Sequence, residues 1–208
     1  MAVVEPTLDV ERAHFAAGAR IVAGMDEVGR GAIAGPVMIG VVAIDATVGE
    51  IPEGLRDSKL MTPKRREAMV PIVQEWGLAW AVGSASNDEI DRFGIVSALG
   101  LAASRALRQL DVVPDVVILD GNTGFLVEEP GGPRIETRVK ADQDCACVSA
   151  ASVIAKVRRD ALMQEMHERH PHYGWDSNKG YGAKVHTDAL RTHGLSELHR
   201  RSWNLLGD

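Results

Sequence analysis

Residues 19–44 read ARIVAGMDEVGRGAIAGPVMIGVVAI, and the order of features in this stretch decides the fold. Ala19 to Met25 is short and apolar, the pattern of a buried strand. Two acids, Asp26 and Glu27, follow where that strand runs out, and a glycine-rich turn, Gly29-Arg30-Gly31 with Gly35, comes next. Pro36 to Ile44 is a second strand, rich in Val and Ile. Strand, turn and strand in this order predict antiparallel pairing. The same glycines also match a G-x-G-x-x-x-G dinucleotide loop, which makes a dinucleotide-dependent oxidoreductase the rival reading. That loop needs a helix after it, because the helix N-terminus holds the pyrophosphate. Here a strand follows, and two carboxylates just before the loop would repel a phosphate.

Working outward, Gly49 to Thr62 is a loop containing Asp57-Ser58-Lys59, and Thr62-Pro63 opens a helix with Thr as cap and Pro at its first position. Leu78 to Ala85 reads as a third strand. Ser86-Asn87-Asp88-Glu89 reads as a cap and first helical turn. A helix over Ile95 to Leu110 precedes a strand, Asp115 to Leu119, that ends in Asp120. Ile135 to Lys140 is a weaker strand, and Val148 to His170 a long helix with apolar spacing at Val153, Val157, Met163 and Met166. From Pro171 the chain is rich in Gly, His and Arg, with one helix near Thr187 to His193. Five strands, paired antiparallel early and alternating with helices later, predict an α/β fold with a mixed sheet flanked by helices.

Asp26 and Glu27 end one strand, Asp120 ends another before Gly121-Asn122, and Asp142 lies just past a third. Each acid alone is an ordinary solvated loop or cap residue. Delivery of acids to strand ends by three separate segments is a more specific signal, since ligands of α/β sheets gather there. Mg²⁺ and Mn²⁺ take oxygen ligands, and a carboxylate cluster holding two such ions is a known arrangement for phosphodiester cleavage. Geometry imposes a condition, because successive residues on a regular strand point to opposite faces. Asp26 and Glu27 are therefore expected to share a site only if the strand loses its alternation there, which Gly29 and Gly31 permit.

The 208 residues suit one domain with a small appendage, and 45% hydrophobic with 25% charged residues supplies an ordinary core. The longest apolar run, Val37 to Ile44, is strand-sized, far below the ~18 residues that span a bilayer. The segment MAVVEPTLDVER carries acids where a secretory signal carries bases, so no export signal is expected. Cys145 and Cys147, one residue apart, make a poor disulfide; they read as small buried residues and favour a reducing cytoplasm. The net charge of −6 does not by itself suggest nucleic acid, although six of the seven histidines and a string of Lys and Arg lie after Ser149. A metal-neutralised carboxylate cluster would account for part of the acidic excess. In Lys179-Gly180-Tyr181-Gly182 an aromatic stands between glycines, free either to stack on a sugar or base or to pack on its own loop. His199-Arg200-Arg201-Ser202 offers phosphate-binding groups or a solvated basic tail.

Gly24-Met25-Asp26-Glu27-Val28-Gly29-Arg30-Gly31, with Ala34-Gly35-Pro36-Val37, closely resembles the first motif of type 2 ribonuclease H (RNase HII). Asp57-Ser58-Lys59, Asp120-Gly121-Asn122, Lys140-Ala141-Asp142, the run from Ser149 to Asp160, Lys179-Gly180-Tyr181-Gly182 and His199-Arg200-Arg201-Ser202 follow in the family's order. The resemblance covers nearly the whole chain from Ile21. It implies an RNase H-like catalytic domain over residues 1–170 and a small helical, substrate-contacting extension over 171–208, packed on the same domain. It implies Asp26, Glu27, Asp120 and Asp142 as catalytic, metal-binding carboxylates for two Mg²⁺ or Mn²⁺ ions. Gly29, Arg30 and Gly31 would contact the 2′-hydroxyl of a ribonucleotide through backbone groups, the group that separates RNA from DNA. Tyr181 would lie against the sugar at the RNA-to-DNA junction, with Ser58, Lys59, Arg200 and Ser202 as further substrate contacts. The implied activity is hydrolysis of RNA in RNA–DNA hybrids and cutting 5′ of single ribonucleotides in duplex DNA, leaving 3′-hydroxyl and 5′-phosphate ends. A non-catalytic nucleic-acid binding module is the third reading. Two departures stand out: Ala141 replaces a common glycine, tolerable unless the turn needs positive φ, and Trp203 replaces a common Phe. A monomer without membrane association is expected, and Asn204 to Asp208 are too few and too ordinary to assign a replication-clamp contact.

Overall fold

The computed structural model describes residues 5–122 and 124–205. After helix α1 (Asp9–Ala16), strands β1 (Ile21–Val28) and β2 (Val37–Asp45) form the antiparallel pair that the opening stretch predicts. A 3-10 turn at Ser58–Leu60 and helix α2 (Pro63–Trp76) lead to β3 (Ala79–Ala85), followed by helices α3 (Asn87–Phe93) and α4 (Ile95–Arg108). Strands β4 (Val116–Asp120) and β5 (Arg134–Arg138), the short helix α5 (Ala141–Asp144) and the long helix α6 (Ala146–Arg169) complete the main layer. The sheet order is β3-β2-β1-β4-β5, antiparallel on the β3 side of β1 and parallel on the β4 side. A strand rather than a helix follows the glycine turn, so the dinucleotide-binding geometry is absent.

Local chemistry accounts for the element boundaries. Thr62 caps α2 by accepting from the Arg65 N–H, with Pro63 at the first helical position. Ser86 and Glu89 form a reciprocal capping box on α3. One feature the sequence reading missed is α1. Its eight residues have little apolar periodicity, and tertiary contacts hold them: the buried Glu11 carboxylate accepts the Cys147 N–H at 3.0 Å, and Thr7 bridges Cys145. Cys145 and Cys147 are free and buried, as expected. Among the described residues no helix is long and apolar enough to cross a membrane.

Both sheet faces are covered. Val22, Val42, Ile44, Val116 and Ile118 pack against α6. Ala23, Met25, Ile39, Val41, Val117 and Leu119 pack against α4. The approach is close because glycines face the helices. A Cβ on Gly24 would sit 2.4 Å from the Cys147 backbone, one on Gly40 would sit 2.3 Å from the Ala151 carbonyl oxygen, and one on Gly83 would sit 2.0 Å from the Ala102 carbonyl oxygen. From Pro171 the chain turns through α7 (Trp175–Asn178) into α8 (Lys184–His193) around its own cluster of Tyr173, Trp175, Ala189 and Leu190, against Ala34 and Met163. An isolated bridge ties Ala34 to His199. Leu206 to Asp208 lie outside the described residues, and with them most of the segment considered for a clamp contact.

Gly40→Ala should lower stability by about 1–3 kcal/mol, the usual cost of an extra methyl group in a filled core. Urea denaturation should show this as a lower midpoint with an unchanged slope.

Candidate active site

The parallel pairing of β1 with β4 stops at Met25 opposite Leu119, while β1 runs on to Val28. Asp26, Glu27 and Val28 thus have no neighbour on the β4 side, and the sheet opens beside them. The expectation that β1 loses its alternation here is not met: its register with β2 runs unbroken through Asp26 opposite Gly40 and Glu27 opposite Ile39. Asp26 shares the α6-facing side with Val22, whereas Glu27 belongs to the other side. Both line one cleft because the missing strand lets a side chain turn around the open edge. The cleft is about 400 Å³ and also receives Asp120, Gly29, Arg30, Gly31, Ser58, Lys59 and Tyr181. Clefts of about 570 and 610 Å³ lie elsewhere, so chemistry and not size singles this one out.

Burial pushes the Asp26 carboxyl up to about 8; the Ser152 hydroxyl opposes this, and the charges of Asp120, Glu27 and Asp142 add to it. Glu27 is raised by burial against the pull of Arg30, whose guanidinium lies 3.3 Å away. Asp120 is raised by burial and by the charge of Asp142. Asp142 stands behind the cleft, 2% exposed, with its backbone N–H 3.4 Å from Asp120 Oδ1 and its carboxylate 2.7 Å from Lys59 Nζ. Lys59 also lies 3.6 Å from Asp57. Loss of water around the ammonium is outweighed by the hydrogen bond and charge of Asp142, which hold Lys59 above its ordinary value. Asp26, Glu27 and Asp120, each with a raised proton affinity, stand with Asp142 as a set that offers only oxygen donors, and such a set fits a hard divalent cation. Among the described residues no three acidic, His or Cys side chains converge tightly enough to hold one as they stand, with Asp142 turned to Lys59.

Several neighbours belong to the run from Ser149 to Asp160, which the sequence reading matched to the family without giving its residues a role. Ser152 lines the cleft beside Asp26 and donates to the Ser58 hydroxyl at 2.8 Å, and Ser149 donates to the Asp142 carbonyl at 2.7 Å. Lys156 lines the cleft and pairs with Asp160 at 2.7 Å. Ser149, Ser152, Lys156 and Arg159 recur at three- and four-residue steps, one polar stripe that begins in the buried N-terminal half of the helix, and that spacing was a readable signal. The positive φ of the turn before Asp142 falls on Lys140 (φ 63) and not on Ala141, which explains why alanine is accepted there.

Two expected contacts lie away from the cleft wall. Arg200 is fully buried and donates to the carbonyls of Arg30 and Gly29 at 2.7 and 2.5 Å. Ser202 is exposed and donates to Asp91 at 2.6 Å. The expected basic footprint of the histidine-rich tail also changes. His199 Nδ1 accepts the Ser196 N–H, which puts its proton on Nε2, 3.0 Å from His186 Nε2; His186 then donates from Nδ1 to the Tyr181 carbonyl at 2.9 Å. Burial, then the nearby His186, drives His199 down to about 4, and burial lowers His186. These two rings are neutral supports of the Tyr181 loop.

A mixed five-stranded sheet with acids gathered where adjacent strands β1 and β4 end defines a nuclease of the ribonuclease H fold. A family model for Ribonuclease HII matches residues 23–206. The Ribonuclease HII of Streptomyces avermitilis is 48% identical over 203 residues, 97% of this chain and 84% of that protein. That of Paracoccus denitrificans is 45% identical over 198 residues, 95% and 91% of the two chains. The crystal structure of ribonuclease H2 from Pyrococcus horikoshii OT3 matches with a TM-score of 0.73 at 27% identity, covering 89% of this chain and 94% of that one. The chain belongs to the ribonuclease HII family, and it is a metal-dependent endoribonuclease that degrades RNA in RNA–DNA hybrids.

A carboxyl raised in the folded state stabilises the fold fully only below its unfolded value, and that stability is lost as pH rises through the folded value. In EDTA the melting temperature should therefore fall between pH 3.8 and about 8, the window set by Asp26. Asp26→Asn should show a shallower fall and melt higher than the parent at pH 8, as read by thermal denaturation across that range.

Proposed function

We propose that this chain cuts on the 5′ side of a ribonucleotide, including a single one embedded in duplex DNA, and leaves 3′-hydroxyl and 5′-phosphate ends. One observation carries the reading: a carboxylate cluster, the Gly29-Arg30-Gly31 backbone and the Tyr181 ring share one open cleft. Asp26, Glu27, Asp120 and Asp142 would hold two Mg²⁺ or Mn²⁺ ions. When bound, such ions neutralise the cluster and supply the Lewis acidity that phosphodiester hydrolysis needs.

The remaining work falls to the chain itself. Gly31 has open space at its α-carbon, so a sugar edge can reach the backbone there. Its N–H and that of Arg30 would take the 2′-hydroxyl, which DNA lacks. Tyr181, 36% exposed, offers its ring to the sugar. Lys59 holds Asp142 in place and sets a positive charge beside the path of the phosphate. Ser58 is buried and bonded to Ser152, so its part is to brace the Asp26 side of the cleft. The protein acts as a single chain on RNA–DNA hybrid and ribonucleotide-containing duplex.

The test is a DNA duplex with one ribonucleotide, incubated with and without Mg²⁺, with both product ends mapped. A cut 5′ of the ribonucleotide only with metal is expected. Binding without turnover would favour a non-catalytic binding module instead. Asp26→Asn and Asp120→Asn should each lower the cleavage rate on the order of 10³-fold or more while the far-ultraviolet circular dichroism stays unchanged. Full activity in either variant would remove it from the site.

Mg²⁺ should also raise the melting temperature. At a hundredfold excess over its Kd the gain is about 2.7 kcal/mol, or roughly 5–10 °C for a chain of this size. A melting curve unmoved by saturating metal would count against the cluster.

A further inference from the structure

Arg159 and Arg200 are both fully buried, and among the described residues neither has a carboxylate within 4 Å, Asp160 acting on Arg159 and Asp91 on Arg200 only from farther off. Arg159 donates to the carbonyls of Pro36 (3.0 Å), Lys179 (2.8 Å) and Ala34 (3.2 Å). Arg200 donates to those of Arg30, Gly29 and Gly35, the last at 3.3 Å. Each guanidinium also faces a ring, Arg159 over Tyr181 at 5.5 Å and Arg200 over Trp203 at 4.8 Å. Burying a charge without a direct ion pair is costly, and neutral donors could satisfy carbonyls. Two adjacent charges in this place therefore call for a role beyond packing.

Peptide geometry supplies one. In a trans peptide the C=O and the following N–H point in opposite directions. Arg200 draws the Gly29 and Arg30 carbonyls inward, so the N–H groups of Arg30 and Gly31 point away from it, towards the cleft that these residues line. A charge on the carbonyl end also polarises each peptide, which strengthens the N–H as a donor. Arg159 works from the other side. It fixes the Lys179 carbonyl and sits over the Tyr181 ring, while Gly29 makes room for it: a Cβ on Gly29 (φ +85) would lie 2.1 Å from Arg159 Nε. Gly29 is thus the glycine that packs against the arginine, and Gly31 the one left open.

We propose that Arg159 and Arg200 are positioning residues that set the discrimination between ribose and deoxyribose, Arg200 by aiming two backbone N–H groups into the cleft and Arg159 by holding the Tyr181 ring across from them. This rests on the reading that the cleft faces the ribose. Neither arginine needs to touch the substrate.

The test uses Asp120→Asn as a non-cleaving parent and measures, by fluorescence anisotropy with Mg²⁺, its affinity for a DNA duplex carrying one ribonucleotide relative to the same duplex in all-deoxy form. Arg200→Lys and Arg159→Lys, which keep the charge and lose the planar fork, are added one at a time. Each should cut the ribose preference about tenfold, the scale of a lost, well-aimed hydrogen-bond set, while affinity for the all-deoxy duplex stays within about twofold. A partly unfolded sample lowers both affinities alike and leaves the ratio unchanged, so a structural defect alone cannot mimic the result. A discriminating parent with equally discriminating variants overturns the proposal. A parent that binds both duplexes alike removes the ribose-facing reading and this proposal together. The Gly31 amide resonance of the parent gives a readout that needs no arginine variant: it should move with the ribonucleotide duplex and not with the all-deoxy one, and an equal shift with both overturns the proposal.

Discussion

Core and site both follow from how closely α6 lies on the sheet. Gly24 on β1 and Gly40 on β2 bring the helix backbone to a distance that any side chain would forbid. The burial this allows is apolar on one stripe of the helix, with Ala150, Ala151, Val153, Ile154 and Ala155 shut away from water. The same approach carries a polar stripe to the sheet end. Ser149 reaches the Asp142 carbonyl, Ser152 the Ser58 hydroxyl, Lys156 the cleft and Arg159 the loop beyond it. One helix placement thus sets the core and the second layer of the site together.

Charge in the site is arranged by contrast. Asp26, Glu27 and Asp120 line one cleft at a gap in the sheet, where burial first and the charge of neighbouring carboxylates second raise their proton affinity. Lys59 and Arg30 stand close enough to offset part of this. A few residues away Arg159 and Arg200 sit buried among carbonyls, and His186 and His199 stay neutral in the wall behind Tyr181. Such a site holds a latent demand for cations at the acids and presents donors at the glycine loop. Those are complementary needs for binding a phosphodiester next to a hydroxyl-bearing sugar.

Strain gathers at the same places. Lys140 and Lys179 are the non-glycine residues with positive φ among those described, one two residues before Asp142 and the other two before Tyr181. A lysine in that conformation costs on the order of 1 kcal/mol, and it persists because the surrounding contacts over-determine it. Lys179 has its carbonyl held by Arg159, and the residue after Lys140 is wholly buried.

The elements and the chemistry were legible along the chain. Val- and Ile-rich runs bounded by glycine turns marked the strands to within a few residues. Thr62-Pro63 and Ser86 through Glu89 marked helix starts, and a motif order starting at Asp26-Glu27 marked the family. Those signals are local, and local hydrogen bonds and periodicity are enough to write them. Which side chains face one another was settled by packing. The adjacent acids were expected to need a distorted strand, yet β1 is regular, and they meet because β4 ends early beside it. Arg200 read as a phosphate contact and lies buried under the loop. The tail histidines read as basic charge, and His186 and His199 are buried, neutral rings. Helix α1 and its buried Glu11 gave no local signal at all, because their partners at Cys145 and Cys147 are more than a hundred residues away. Burial and the length of a neighbouring strand are properties of the packed chain, and no run of adjacent residues encodes them.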